Sequence, residues 1–553
     1  MKRVLLARGV STSEELNTDL SGLHSPLSML GMSAAVELLQ GAITQSQKIL
    51  ILGDYDADGA TSCALAVRAL QAMGAIDVDF LVPDRFKFGY GLSPEIVDVA
   101  AQRKPDLLIT VDNGISSVEG VERAKTLGMQ VIITDHHLPG EHLPAADAII
   151  NPNQPGCEFP TKCLAGVGVL FHLMAALRSY LREQGWFEQQ KISEPNLAQW
   201  LDIVALGTVA DLVPLDQTNR LLVSQGLKRI RSGRGNPGVR ALLDVAGKDW
   251  QHTRSSDLGF TVGPRINAAG RLEDISLGIQ CLLTEDESEA RRIASQLHQL
   301  NLDRRSIEQQ MRQEAETALT VLDLNSEELP WGLCLYQEDW HSGVVGLIAS
   351  RIKDKWHRPT IVFAGEEQGD QLKGSGRSIN GLHIRDALEA VSTQNPGLIL
   401  QFGGHAMAAG LTLSKANYAK FSEAFDAEVR NRLDASALSE KVLTDGELPA
   451  DQIGLDSAKL IESISPWGQA FPEPLFEGEF EVEDVRILKE SHLKLRLRSK
   501  GAVNAIEAIW FSVPSEYLNL RQGQAGLFVY RLAINRFRGR ETEQLMIEQF
   551  RPI

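Results

Sequence analysis

The residues best able to do chemistry lie in Gly53-Asp54-Tyr55-Asp56-Ala57-Asp58-Gly59-Ala60. Three carboxylates this close repel one another unless something neutralises them. A hard divalent cation such as Mg²⁺ or Mn²⁺ is the natural neutraliser. An EF-hand is excluded, because the closing glutamate such a loop needs is replaced by Leu65. Alone, the stretch could equally be a solvated Asp-rich turn. The pattern recurs, however. Val111-Asp112-Asn113-Gly114 and Thr134-Asp135-His136-His137 each follow an apolar run, and Asp211 sits in Val209-Ala210-Asp211-Leu212. Acidic and imidazole groups at successive strand ends are costly to desolvate unless they bind something. An oxygen-rich set with one or two nitrogens suits a pair of Mg²⁺ or Mn²⁺ ions. Two such ions, about 3.5 to 4 Å apart, would serve in-line displacement at a phosphoryl group.

The elements that must position these groups are legible as a rhythm. Lys48–Leu52, Val78–Val82, Asp106–Val111, Gln130–Thr134 and Ala148–Ile150 read as buried strands. Between them, 60–73, 94–102 and 117–127 keep helical spacing, the second with Pro94 at its start and the third with Gly128 as its stop. Alternating strands and helices argue a doubly wound parallel sheet, whose strand ends share one edge. Helices over about 164–184 and 197–207 follow.

The rest of the chain divides further. Residues 1–45 read as a mostly helical lead-in, and 46–284 as the parallel-sheet core with a helical extension. Residues 285–325 read as one connecting helix on the spacing of Ile293, Leu297, Leu300, Ile307, Met311, Ala315 and Ala318. Residues 326–435 form a smaller α/β domain with Gly343/Gly346, Gly374/Gly376 and Gly403/Gly404, and 436–553 an oligonucleotide-binding-like (OB-like) β-barrel. The fold class expected is thus multidomain α/β. On the barrel, Lys494, Arg496 and Arg498 alternate onto one face, and Arg536, Arg538 and Arg540 cluster with Phe537, a pattern suited to tracking a single strand. A solvated strand face is the plainer alternative.

The chain has 553 residues, 43% hydrophobic and 23% charged, with a net charge of −17. That length exceeds one core. The negative sum does not exclude a polyanionic substrate; it requires the basic groups to be concentrated locally. No apolar run reaches membrane-span length, and the N-terminus lacks a signal-peptide pattern. Cys63, Cys157, Cys163, Cys281 and Cys334 are scattered and odd in number, which suggests a reducing cytoplasm.

Other basic groups suit phosphate. Arg265 and Arg271 flank Asn267 in a Gly-bounded segment, with ion pairing to Glu273 or Asp274 as the alternative. His341, Arg377 and His405 sit beside glycines that allow close backbone approach. Arg85, Lys87 and Tyr90 combine charge with an aromatic ring for base stacking.

Taken together, Asp-x-Asp-Gly at 56–59, Val111-Asp-Asn-Gly, Asp135-His-His and Val209-Ala-Asp resemble the motifs of the DHH phosphoesterase superfamily. Trp340-His-Ser-Gly-Val-Val-Gly346, Gly374-Ser-Gly-Arg-Ser378 and Gly403-Gly-His-Ala-Met-Ala-Ala-Gly410 resemble its companion DHHA1 domain. The likeness extends to Gly263–Arg271 and Pro466–Phe476, and is closest to the superfamily's single-strand-specific 5′→3′ DNA exonucleases. It implies that Asp56 holds one metal and Asp58 the other, that Asp112 bridges them, and that His136 and Asp211 complete the second site. His137 would contact phosphate or orient a ligand. Asp54 would be a further ligand and Asp135 a supporting group. Where some members carry a histidine, this chain has Leu52, which leaves that place to Asp54 or water. Arg377, Ser378 and His405 would grip the substrate, and the long helix would close the two α/β domains into a channel too narrow for duplex. The likeness further implies release of 5′-mononucleotides, a monomer acting in DNA repair and recombination, and repair partners such as a RecQ-like helicase and a single-strand-binding protein. The alternatives are a phosphodiesterase for short RNA or cyclic dinucleotides, and a non-catalytic DNA-binding scaffold.

Overall fold

β1 (Ile49–Gly53), β2 (Val78–Leu81), β3 (Leu107–Val111), β4 (Gln130–Thr134) and β5 (Ala148–Ile150) form one wholly parallel sheet in the order β2-β1-β3-β4-β5. The computed structural model describes residues 1–83, 91–321, 330–365, 369–464, 466–499 and 504–553. β1 and β3 are buried on both faces, which is why they read as unbroken apolar runs. Leu50, Leu52, Leu108, Val131 and Ile133 pack against the helices Pro94–Ala101 and Val118–Thr126. The opposite face meets the helix Ala57–Ala72, where a Cβ on Gly53 would collide with Cys63 Sγ.

Register fixes the functional edge. Gly53 pairs with Val111, Val111 with Thr134, and Thr134 with Ile150. The next residue in each case, Asp54, Asp112, Asp135 and Asn151, therefore leaves the sheet along a single line. The strand order reverses between β1 and β3, the switch point where open α/β sheets place their ligands.

The chain forms two compact units: residues 1–270, 274–298 and 443–553 make the first, and 271–273 with 299–442 the second. The first includes the helices Gly166–Glu183 and Leu201–Ala210 and a closed five-stranded barrel. The barrel strands are β11 (Phe476–Leu488), β12 (His492–Ser499), β13 (Ile506–Trp510), β14 (Ala525–Phe537) and β15 (Arg540–Pro552). Leu493, Leu495 and Leu497 point inward on alternate residues of β12, and β13 closes on β15 in parallel.

The second unit holds a mixed sheet ordered β6-β7-β8-β10-β9, from β6 (Leu333–Gln337), β7 (Thr360–Gly365), β8 (Gln371–Arg377), β9 (Gln401–Gly404) and β10 (Ala408–Ser414). Helix Val345–Trp356 packs on Val362 and Ala364, while Phe363, Leu411, Phe421 and Phe425 form the core on the other face. The long helix, Glu287–Val321, has 35 residues. Its part before residue 299 belongs to the first unit and the remainder to the second.

One expectation changes. The lead-in is only partly helical: Lys2–Ala7 and Met32–Thr44 are joined by three 3₁₀ turns. The Gly-bounded segment around Arg265 is the helix Gly263–Leu272. Among the described residues no single helix is long and apolar enough to cross a membrane.

Candidate metal centre

Asp56 caps the helix Ala57–Ala72. Its Oδ1 accepts from the backbone N–H of Asp58 (2.9 Å) and Gly59 (3.0 Å), which fixes the turn that carries all three carboxylates. Asn267 closes the same turn by accepting the Ala57 N–H at 2.7 Å. Asp58 points inward and is 1% exposed. The first turn of helix Gly166–Glu183 meets it, Gly166 N–H donating to Oδ2 at 2.6 Å and Val167 N–H to Oδ1 at 3.0 Å. A helix N-terminus suits a carboxylate. Even so, burial and the neighbouring Asp56 charge push Asp58 up to about 7, against the pull of those two hydrogen bonds.

Asp112 sits at φ 63°, a left-handed conformation that Asp tolerates better than most residues. Asn113 stabilises the turn by donating to Leu52 O (3.2 Å) and Val111 O (2.9 Å), while Thr110 Oγ1 donates to Asn113 O (2.7 Å). Burial first, then Asp58, Asp56, Asp211 and Asp54, raise the Asp112 carboxyl well above its ordinary range. Asp211, at the end of helix Leu201–Ala210, is raised in the same way by burial and by Asp58, Asp56 and Asp54.

His136 Nε2 lies 3.1 Å from Asp112 Oδ1 and 3.5 Å from Asp211 Oδ2. Asp135 accepts the backbone N–H groups of Ile115 (2.9 Å), His136 (2.7 Å) and His137 (3.1 Å), and its Oδ1 lies 2.7 Å from His137 Nδ1. Burial would raise Asp135, but the His137 contact and the N–H donors hold it below the usual carboxylate range. Burial likewise opposes a charge on His137, and Asp135 outweighs it, so the His137 value rises. Asp135 thus orients the Asp-His-His segment from behind.

Three groups of ligand atoms, each within 4.8 Å of one another, result: Asp54/Asp56/Asp112, Asp58/His136/Asp211 and Asp112/His136/His137. The first is all oxygen and the second two carboxylates and an imidazole, donor sets that fit hard or borderline divalent cations. The mutual repulsion that raises Asp58, Asp112 and Asp211 is what two cations would relieve. Asp112 is common to two groups.

Sequence reasoning missed several supporting groups. Asn153 Nδ2 donates to His136 O (2.6 Å) and Asn151 Nδ2 to His137 O (2.9 Å). Their signal was present in Asn151-Pro152-Asn153, directly after β5. Gly166 and Gly207 were missed too. A Cβ at Gly166 would fall 2.8 Å from Asp112 Oδ1, and one at Gly207 the same distance from Asp58 Oδ1.

Several residues expected to face phosphate have framework partners. Arg265 is buried, donating to Thr261 O (2.6 Å) and His298 Nδ1 (3.0 Å). Asn267 is committed to Ala57. Ser378 is 1% exposed, its hydroxyl donated to Leu382 O (2.7 Å), so it closes a turn instead of facing a ligand. Within the second unit, Arg271 Nη1 donates to Gly343 O (3.1 Å) and Gly343 N–H to His341 Nδ1 (3.1 Å). Arg377 lies along the end of β8 against Ser375 Oγ (3.1 Å) and Gly376 O (2.8 Å), and His405 is exposed in the β9–β10 turn. Arg85, Lys87 and Tyr90 lie outside the described residues.

The barrel stripe also changes meaning. Lys494 pairs with Glu507 (3.2 Å), and Arg496 and Arg498 with Glu483 (3.9 and 2.7 Å). Arg536 pairs with Glu462 and Glu541, both at 2.9 Å. These cations are laid across carboxylates.

Comparison with known proteins places these features. Residues 48–208 match the DHH family N-terminal domain, 330–431 the DHHA1 domain and 444–549 the RecJ OB domain. The chain is 49% identical over 553 residues to the single-stranded-DNA-specific exonuclease RecJ of Escherichia coli, covering all of this chain and 96% of that protein. It superposes on the crystal structure of RecJ in complex with Mn²⁺ from Thermus thermophilus with a TM-score of 0.80 and 29% identity, covering 100% of this chain and 75% of that one. The corresponding Mg²⁺ complex gives a TM-score of 0.75 at 28% identity, covering 100% and 74%. With near-complete mutual coverage by a relative of this identity, the chain belongs to the RecJ family.

Proposed function

We propose that the protein is a single-strand-specific DNA exonuclease that degrades its substrate 5′→3′ to 5′-mononucleotides with a pair of Mg²⁺ or Mn²⁺ ions. One observation carries the reading: Asp58, Asp112, His136 and Asp211, drawn from four separate chain segments, converge on one edge of the parallel sheet. Bound there, two divalent cations would supply a nucleophilic water at neutral pH and charge neutralisation on the scissile phosphate. Asp54, Asp56 and Asp112 would hold one ion; Asp58, His136 and Asp211 the other, with Asp112 shared. The N-terminus of helix Gly166–Glu183 fixes the Asp58 carboxylate, so ligand orientation is set before substrate arrives. His137, its ring held by Asp135 at 2.7 Å and its value raised by that carboxylate, would contact a phosphate oxygen.

In the second unit, His341, Arg377 and His405 are the groups we assign to substrate, with Arg271 steadying the His341–Gly343 turn. Arg85 and Tyr90 remain in the proposal on residue type alone. All metal donors come from one chain, so a monomer suffices. The buried thiols of Cys63 and Cys281 suit a reducing cytoplasm. We further propose a role in repair and recombination, with a RecQ-like helicase and a single-strand-binding protein as partners, on the likeness to the family alone.

The test is a comparison of 5′-labelled single-stranded DNA, duplex DNA, RNA and cyclic dinucleotides with Mg²⁺ or Mn²⁺ and with chelator. Stepwise release of 5′-mononucleotides from single-stranded DNA alone is expected. Preference for dinucleotides would replace the reading with the smaller phosphodiesterase activity. Binding without any metal-dependent release would leave a scaffold.

A further inference from the structure

The metal centre leaves one motif unexplained, Pro466-Trp467-Gly468-Gln469 and the residues after it. In the first unit this segment forms one wall of a cavity of about 400 Å³. The end of helix Leu201–Ala210 lines it too, with Val209 and Leu212, as does Phe260. The walls are tied together. Ser255 Oγ donates to Trp467 O (2.6 Å), and Leu215 N–H to Gln469 O (2.8 Å). Gly468 lies flat on Leu215, where a Cβ would come within 2.7 Å of Cδ1. Trp467 is itself held by stacking on Phe471, at 5.0 Å and 14°. The space is therefore preformed.

Two of its residues are costly as they stand. Leu212 is held at φ 59°, where a leucine is strained, and is 59% exposed, and Phe260 is 71% exposed. Between Val209 and Leu212 stands Asp211, whose carboxylate turns the other way, toward His136 at 3.5 Å. One helix end thus serves the metal centre on one side and the cavity on the other. The charged groups of the lining are of both signs: Arg254 faces Glu462 (3.5 Å) and Arg531 faces Glu473 (3.9 Å).

We propose that this cavity receives one nucleobase of the single strand whose phosphate occupies the metal centre, an inference that rests on the exonuclease reading above. Exposed Phe260 and the apolar walls stack any base by its π-face. Arg531 and Glu473 supply a donor and an acceptor for the base edge. The balanced charge of the lining disfavours a phosphate or an acidic peptide as occupant. A captured base would hold the strand in register beside Asp211.

The test is single-turnover hydrolysis of oligonucleotides in which each nucleotide in turn lacks its base, by the full chain and by Phe260→Ala and the cavity-filling Ser256→Trp. For the unaltered chain, one abasic position near the cut should slow hydrolysis by about tenfold, the scale of one lost base stack. In Phe260→Ala the intact strand should be slowed similarly, and that abasic position should cause no further loss. Phe260 is mostly exposed, so its replacement leaves folding intact; Ser256→Trp should repeat the effect by blocking the space. A flat abasic profile with normal hydrolysis overturns the base pocket and leaves the exonuclease reading standing. So does an unchanged profile in both variants, or an apolar peptide that fills the cavity without altering hydrolysis. No metal-dependent hydrolysis by the unaltered chain sinks the exonuclease reading itself.

Discussion

The backbone N–H of Gly166 donates to the Asp58 carboxylate at 2.6 Å across 108 residues of sequence. It joins the first turn of one helix to the first turn of another. The contact fixes a metal-ligand candidate from below and leaves little room around it. At Gly207 a Cβ would sit 2.8 Å from Asp58 Oδ1 and 2.7 Å from Val167 Cγ1. Gly207→Ala should therefore displace Asp58, lowering metal affinity or turnover by about 10- to 100-fold, as for other residues that support ligands. Metal titration by calorimetry alongside a hydrolysis assay checks this; wild-type affinity with normal turnover would refute the crowding argument.

Asp112 belongs to both an all-oxygen group and a histidine-containing one. Asp112→Asn keeps a residue that tolerates φ 63° while removing the charge. Turnover should fall beyond about 100-fold, past the range of merely supporting residues, with binding of single-stranded DNA largely retained. Because Asp112 charge is opposed by burial and by Asp58, Asp56, Asp211 and Asp54, the metal-free variant should melt higher than the metal-free parent. Retained Mg²⁺-dependent hydrolysis would defeat the assignment.

What could be read in the sequence divides along a physical line. Asp56, Asp58, Asp112, Asp135 and the two histidines were visible because strand ends seldom carry charge without a reason, and parallel pairing aligns those ends. Register then placed Gly53, Val111 and Thr134 in one row. The N–H groups of Gly166 and Val167 were invisible, since a backbone donor has no residue type. Arg265 misled for a related reason. A guanidinium fits a carbonyl and an imidazole as well as a phosphate, and only tertiary packing decides between them. The barrel stripe misled because Glu483 and Glu507, on neighbouring strands, are seen opposite the cations only once the strands are paired.

Removing the metals should make stability depend on pH. Asp58, Asp112 and Asp211 all have folded values above the ordinary 3.8. A raised carboxyl contributes stability that is fully present below its unfolded value and is lost as pH rises through its folded value. In chelator, the melting temperature should therefore fall as pH rises from about 4, with the Asp58 contribution lost by about 7. Mg²⁺ or Mn²⁺ should restore it, most strongly at the upper end, and should release protons on binding. Thermal scans with and without metal across this window measure it. A metal-free curve that rises instead would contradict the burial argument.

Asn267 accepts the Ala57 N–H at 2.7 Å, which ties the Asp56–Asp58 turn to helix Gly263–Leu272. Asn267→Ala leaves that donor unsatisfied and the turn looser. A loss of about 10- to 100-fold in metal-dependent turnover is expected, with the apparent metal affinity falling alongside it. Asn267→Asp, which keeps the acceptor, should recover part of the loss. If Asn267 instead met substrate directly, metal affinity would stay unchanged while KM rose.

The paired cations of the barrel give the sharpest contrast with the pattern read from sequence. Lys494, Arg496 and Arg498 share one face of β12, but Glu507 and Glu483 occupy their charges. Exposed pairs of this kind contribute about 0–1 kcal/mol each, so replacing all three by alanine should change stability little. Binding is the more telling measurement. Each phosphate contact on a single strand adds about 0.7 to the slope of log affinity against log salt. Three contacts would make the slope shallower by about 2 in the triple variant. We expect the slope to stay as in the parent, because a lysine or arginine already neutralised by glutamate releases no counterion from DNA. A slope reduced by that amount would mean that the strand displaces Glu483 and Glu507 and takes over their cations, making the salt bridges a resting state of the binding face.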